Sequence, residues 1–239
     1  MIRYAWIGLL VALAFLAAGA QLDRQARRTP MLAPVVPQMF RSFSQARLVL
    51  STVRSADPAE ALKAAQLLVQ RRPIPAEHLS LLAIATVRNG DNEKAFLLLQ
   101  KAAQRGWRDS VAQQTMLEIA TKAGDLPEAT RRLAALWGMG ESQMPLAAAT
   151  AKLMASADGR KAMAATMANN GRWMDAFLAQ SGAVQPEHLA ETLALAARQG
   201  ARFECSTLQR IESVYTRRKL DAEAGLIAEA RKNCVRGVS

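Results

Sequence analysis

The sequence predicts an all-α protein built from packed helical hairpins. Three observations indicate this fold: the composition, the helical periodicity of apolar residues and an internal repeat. Alanine and leucine dominate a hydrophobic share of 51%, aromatic residues make up 5%, and charged residues are interspersed at 21%. This composition is typical of amphipathic helices that pack on one another, and it argues against an all-β fold and excludes general disorder. Two cysteines in 239 residues exclude a disulfide framework as the basis of the fold.

The first element is an uncharged stretch, residues 4–20, that precedes the folded part. As a helix it would reach about 25 Å, which barely crosses the hydrocarbon core of a bilayer. It offers no polar face for packing on a protein surface. We interpret residues 1–20 as a retained transmembrane anchor. The alternative is a cleaved secretory signal, because Arg3 precedes the stretch and the small residues 18–20 end it.

Residues 21–41 follow as a linker that contains Pro30, Pro34 and Pro37 and shows no helical apolar stripe. The pattern predicts an extended tether. Its arginines could touch anionic headgroups beside the anchor, although such a segment is more often a solvated spacer.

The orientation in the membrane is a separate question. Basic residues near the anchor favour a cytoplasmic domain by the positive-inside rule, whereas a short N-terminal signal would export the domain.

After residue 41 the sequence repeats itself. Similar turns recur 34 residues apart, ADPAEA from residue 56, GDNEKA from residue 90 and GDLPEA from residue 124, each between two apolar helical patterns. Gly90 and Gly124 can take the left-handed conformation that ends a helix, and the aspartate after them can cap the next one. Four residues after each aspartate, Ala61, Ala95 and Ala129 allow neighbouring helices to approach closely.

This helix-turn-helix period resembles the tetratricopeptide repeat (TPR) family. Pro73 stands where the family closes a unit with proline, but Trp107 and Glu141 occupy the equivalent places, and the family's aromatic residue in the first helix is missing. The resemblance implies a right-handed helical-hairpin solenoid whose first helices line a concave groove for a partner segment. It covers residues 42–143 in three units: 42–75, 76–109 and 110–143.

Residues 144–239 are expected to be degenerate helical repeats, with breaks at Asp158-Gly159 and at residues 169–171, and a C-terminal capping hairpin over 201–234. Cys205 and Cys234 lie almost symmetrically about a turn near Lys219. The spacing brings the start of one helix beside the end of the other and predicts a disulfide, with two buried thiols as the alternative. An oxidised pair requires an exported domain, so the cysteines favour the periplasmic side.

One pattern indicates a binding surface. Arg54, Arg88 and Lys122 occupy the same position in the three units and would form a basic row in stacked repeats. The alternative is that cations are favourable near any helix C-terminus. The TPR resemblance favours the partner groove and implies four further residues on the same surface: Ser80, Ile84, Gln114 and Glu118.

No pattern indicates catalysis. His78 and His188 lack a second ligand at helical spacing, and we expect capping or surface histidines without metal or cofactor. The methionines between residues 144 and 174 are expected to fill the core, with a metal or peptide site as the alternative. A net charge of +11 could suit nucleic acid, but the basic residues are spread along the chain without stacking aromatics, so we do not expect this partner.

The sequence therefore predicts a non-enzymatic, membrane-anchored TPR-like adaptor that binds a protein or peptide partner. By fold-level analogy we place it in the bacterial inner membrane, single-pass, with its domain in the periplasm, in envelope assembly, secretion or polysaccharide export. A cleaved, soluble periplasmic protein and a cytoplasm-facing membrane scaffold are the alternatives. A cryptic enzyme is the alternative of a different class and would require converging titratable groups.

Overall fold

The computed structural model describes residues 2–55, 57–140 and 143–235, and it confirms the all-α prediction. Within these ranges no strand forms, and the one extended pairing is the bridge between Glu204 and Val235. Short 3-10 helices span Pro30–Val35, Gln38–Phe40 and Ser181–Ala183. The described residues contain thirteen α-helices: α1 Ile2–Arg28, α2 Ser44–Ser55, α3 Pro58–Arg71, α4 Ala76–Arg88, α5 Asn92–Arg105, α6 Ser110–Ala123, α7 Leu126–Met139, α8 Gln143–Met154, α9 Ala157–Ala168, α10 Trp173–Ala179, α11 Pro186–Arg198, α12 Cys205–Arg217 and α13 Asp221–Arg231.

The chain forms two compact units, Met1–Asp109 and Ser110–Ser239. In the first unit α2 packs against α3, α3 against α4 and α4 against α5, and Val49, Ala65 and Leu68 are fully buried between them. In the second unit α7 is central, because it contacts α6, α8, α9 and α10, while α11 lies between α9 and α13 and α12 pairs with α13. Each unit therefore has a core of its own.

The helix α1 is longer than the predicted anchor, since it continues through residues 18–20 to Arg28. Its apolar side chains point outward, with Tyr4 80%, Leu10 60% and Phe15 56% exposed. From Arg3 to Arg28 the helix is long and apolar enough to span a membrane. An exposed apolar surface of this extent is typical of a site that contacts a membrane or another protein.

The prediction of an extended tether over residues 21–41 is wrong. Asp23 is 3% exposed, and its carboxylate accepts hydrogen bonds from the backbone N–H groups of Ser42, Phe43 and Ser44 at 2.9–3.0 Å and from the Ser44 hydroxyl at 2.7 Å. It thereby satisfies donors that are otherwise unpaired at the start of α2. The prolines form short 3-10 helices that fold back on α1 instead of an extended spacer.

The predicted turn residues take the expected conformations. Asp57, Asp91 and Asp125 each accept a hydrogen bond from a backbone N–H in the first turn of the following helix. Gly90 and Gly124 have φ of 89° and 72°, the left-handed region in which glycine carries no side-chain penalty. Ala61, Ala95 and Ala129 are at most 1% exposed. Three residues of these predicted boundaries, Ala56, Glu141 and Ser142, lie outside the described residues.

The segment from α8 to α10 differs from the prediction at one break. The helix α9 begins at Ala157, because the Ser156 hydroxyl accepts a hydrogen bond from the Gly159 N–H at 3.0 Å, so Asp158-Gly159 lies inside its first turn. Met154, Met163, Met167 and Met174 are at most 5% exposed and fill the core of the second unit. The side chain of Met144 lies outside the described residues.

The C-terminal hairpin turns where the sequence predicts it, at Lys219, whose φ is 58°. Cys205 is the first residue of α12, Cys234 lies three residues beyond α13, and the two form a disulfide with a Cα–Cα distance of 5.1 Å. The Cys205 N–H donates to the Val235 carbonyl at 3.1 Å, and the Val235 N–H donates to the Phe203 carbonyl at 2.9 Å. Covalent and backbone contacts thus close the hairpin at its open end.

We expect Ala129→Leu to lower the free energy of unfolding by about 1–3 kcal/mol, because a larger side chain has no room in this closely packed core. Ala95→Leu in the first unit should behave in the same way. Ala165→Leu on the exposed face of α9 is the matched control and should change stability by less than about 0.5 kcal/mol. Denaturant titration of the full chain in detergent measures all three. Unchanged stability in both core variants would show that these alanines do not set the helix spacing.

We expect the unreduced, denatured protein to contain no free thiol. The disulfide closes a loop of 29 residues, and in the chain-entropy model its removal costs about 3–4 kcal/mol. The double variant Cys205→Ser, Cys234→Ser should therefore unfold at lower denaturant, and reduction should bring the native chain to the same value. Two labelled thiols in unreduced material would contradict the bond.

Candidate partner-binding groove

In the second unit the helices α6 and α8 form the walls of a groove of about 560 Å³. The α6 wall consists of residues at helical spacing, Gln114, Leu117, Glu118, Thr121 and Lys122, so one face of the helix points into the groove. The other wall is formed in the same way by α8, and α7 contributes Leu126 and Leu136 between them. The walls of the groove are therefore formed by two helix faces and not by a loop.

The base of the groove is apolar and belongs to the core of the second unit. Leu117, Leu136, Leu146 and Leu153 are all at most 9% exposed and pack within one hydrophobic cluster. Side chains held in a close-packed core keep their positions, so the base is formed before any partner binds.

One buried and one partly buried hydrogen-bond system position the walls. The indole Nε1 of Trp137 on α7 donates to the Thr150 hydroxyl on α8 at 3.1 Å, and both side chains are at most 2% exposed. Arg132 on α7 donates to Glu128 and to the Gln113 side chain on α6, each at 2.9 Å. Because a buried polar group is costly without its partner, these bonds fix how α6 and α8 dock on α7.

The rim of the groove carries charge. Lys122 and Lys152 lie in the last turns of α6 and α8, and both are exposed, as is Glu118. Within the described residues none of these three side chains makes an ion pair. An apolar base with two cations and one anion at its rim suits a partner segment that presents apolar side chains flanked by carboxylates.

The predicted surface residues of the first unit have different environments. Arg54 is exposed and lines a second cavity of about 480 Å³ between α2 and residues 30–34. Ser80 does not lie on a groove surface, so that prediction is wrong: it is 3% exposed, and its hydroxyl donates to Asp109 at 2.5 Å. Ile84 is partly buried and packs against the core of the first unit.

The predicted basic residues also differ in role. The Arg88 guanidinium donates to the carbonyls of Thr52 and Val53 in the last turn of α2, so it caps the helix of the preceding hairpin. This contact matches the alternative that the cations serve helix C-termini. Lys122, in the second unit, lines the groove together with Gln114 and Glu118. The sequence analysis did not identify the α8 wall, although its leucine and alanine spacing contained the signal.

The two histidines lie in separate units, each beside a neighbouring group of its own unit. His78 is 6% exposed, and its Nδ1 lies 2.8 Å from the Arg72 carbonyl, while His188 lies 3.3 Å from Glu187. Among the described residues no group of three or more metal-ligating side chains lies together.

A third cavity lies between residues 178–189 and α12. Burial there raises the pKa of Tyr215 to about 12.

Comparison with known proteins adds no assignment, since no protein-family model matches the chain and no curated protein matches it significantly in sequence.

Proposed function

We propose that this protein is a non-enzymatic, membrane-anchored TPR-like adaptor that holds a protein or peptide partner in the groove between α6 and α8. The observation that carries the proposal is the groove itself, with a preformed apolar base of core leucines and a charged rim. Binding sites for protein segments have this composition, with apolar contacts supplying affinity and rim charges supplying selectivity.

The TPR-like part of the proposal is supported by the spacing of the helices. The helices α3, α5 and α7 begin at Pro58, Asn92 and Leu126, 34 residues apart, and an aspartate caps each of them. The helices α6 and α8 are then the first helices of successive units. A groove between such helices is where the TPR resemblance implies that a partner segment binds.

The anchor is supported by the exposed apolar length of α1 and by its continuation into the fold. Because Asp23 lies on the same helix and caps α2, the residues after the candidate cleavage site at 18–20 are part of the folded domain. The periplasmic side is supported by the disulfide, since such bonds persist in oxidising compartments. The bacterial envelope role remains an inference by analogy with anchored TPR proteins.

The groove is tested by site-specific photocrosslinking in intact cells. We expect a photoreactive residue at Glu118 to yield a defined protein adduct, and one at Ala165, exposed on α9, to yield none. The double variant Lys122→Glu, Lys152→Glu should lose most of the adduct because it repels a carboxylate-bearing segment.

Lys161→Glu is the matched control in the same unit, because its ion pair with Asp158 is exposed and contributes little to stability. Thermal unfolding verifies that the three charge-reversal substitutions leave the fold intact. An adduct that is unchanged by the groove reversal, or equal at both crosslinking positions, would contradict the groove as the binding site.

The anchor is tested by extraction of isolated membranes. We expect the full chain to remain with membranes after washes at high salt and at alkaline pH, because burial of an apolar helix is not weakened by ionic screening. A peripheral protein of the envelope serves as the extraction control. Release of a chain that begins at Gln21 would instead establish a cleaved signal.

A further inference from the structure

Residues 30–40, here called the return segment, fold back along α1. At the end of this segment the Phe40 ring meets the Phe15 ring edge-on, with 5.5 Å between the centroids. Gly19 makes this contact possible, since a Cβ at that position would overlap the Phe40 ring. Residues 39 and 40 therefore lie beside residues 15–19 of α1, inside the stretch that we assign to the anchor.

The shape of the return segment is fixed by hydrogen bonds. The Arg41 guanidinium donates from Nε to the Val36 carbonyl at 2.7 Å and from a terminal nitrogen to the Pro34 carbonyl at 3.1 Å. Val36 packs at 0% exposure against Ala26 of α1. The segment end is held by Asp23, which binds the backbone just after Arg41. The segment is thus preorganised and is not a loose loop.

The tip of the return segment exposes apolar surface in line with that of α1. Met39 is 74% exposed, and Phe15 and Leu16 on the adjacent turn of α1 are 56% and 52% exposed. Single exposed apolar residues are ordinary, but here the Phe40 ring beside Met39 contacts Phe15 in the apolar stretch of α1. The same surroundings should cover both.

The depth of the tip follows from helix geometry. At 1.5 Å per residue, Gly19 lies about 6–8 Å along the axis before Asp23 and Arg24. Arg24, Arg27 and Arg28 are exposed and follow on the same helix, at the level that headgroups occupy when residues 4–20 cross the hydrocarbon. Met39 and Phe40 would then lie below the arginines, at the boundary between headgroups and acyl chains.

We propose that the return segment is a second membrane contact, which inserts Met39 and Phe40 into the bilayer interface beside α1 while the arginines face anionic headgroups. This inference rests on the proposed anchor. A helix alone leaves the attached domain free to rotate about its axis and to tilt. A second contact on one side of α1 removes that freedom, so it fixes which face of the first unit lies on the membrane.

The inference is tested by measuring depth with two labelled variants of the full chain, Met39→Cys and Met31→Cys, in vesicles of zwitterionic and anionic phospholipid. Met31 is the matched control, because it is the same residue type, is 87% exposed and lies on the same segment. It comes three residues after Arg28, the end of α1, which is about 13 Å farther along the helix axis than Gly19. A fluorophore on each new cysteine is quenched by lipids that carry a shallow spin label.

We expect quenching of the Met39 label to be several-fold stronger than that of the Met31 label, with co-flotation of both variants with the vesicles. Equal quenching of the two labels, or none at Met39 in protein that co-floats, would overturn membrane insertion of the segment while the anchor stands. Failure to co-float would instead refute the anchor, and with it this inference.

Discussion

The capping of α2 by Asp23 is the interaction on which the arrangement of the first unit depends. One carboxylate on the apolar helix accepts three backbone N–H bonds and a hydroxyl bond from residues about twenty positions later in the chain. Each donor left unsatisfied in a buried site costs about 1–3 kcal/mol, and a negative charge at a helix N-terminus is favourable in addition. The bond set therefore couples the direction of α1 to the domain. It makes the segment between them a structural element and not a spacer.

The second unit applies the same principle with different groups. Where the first unit fixes α2 through a capping carboxylate, the second fixes α8 through the Trp137 indole and Thr150, and the Trp137 ring packs 5.7 Å from the Phe177 ring. Small alanines and capping aspartates produce similar hairpins from α2 to α7, but they leave helix orientation open. Buried polar bonds between hairpins select one orientation, and the groove between α6 and α8 follows from that choice.

The features that sequence analysis predicted are those that nearby residues determine. Asp91, Gly90 and Ala95 act within one turn and its two flanking helices, so their spacing was sufficient to place the hairpin. The misplaced features depend on distant partners. From the sequence alone Asp23 is an ordinary linker residue, because only the fold shows that Ser44 lies beside it. Ser80 likewise has the spacing of a surface residue, and only the fold shows that its hydroxyl donates to Asp109. The α8 wall was missed because this segment was interpreted as a degenerate helical repeat.

Features near the two ends of the chain indicate opposite sides of the membrane for the folded domain. Arg24, Arg27 and Arg28 lie at the end of α1, after its uncharged stretch, and a count of basic residues would retain them in the cytoplasm. However, the Arg27 guanidinium lies 5.6 Å from the centre of the Phe43 ring, so this arginine also serves the contact between α1 and the residue before α2. The disulfide has no equivalent alternative role in a reducing compartment, where it would not persist. The bond between Cys205 and Cys234 is therefore the observation that supports the proposed periplasmic side.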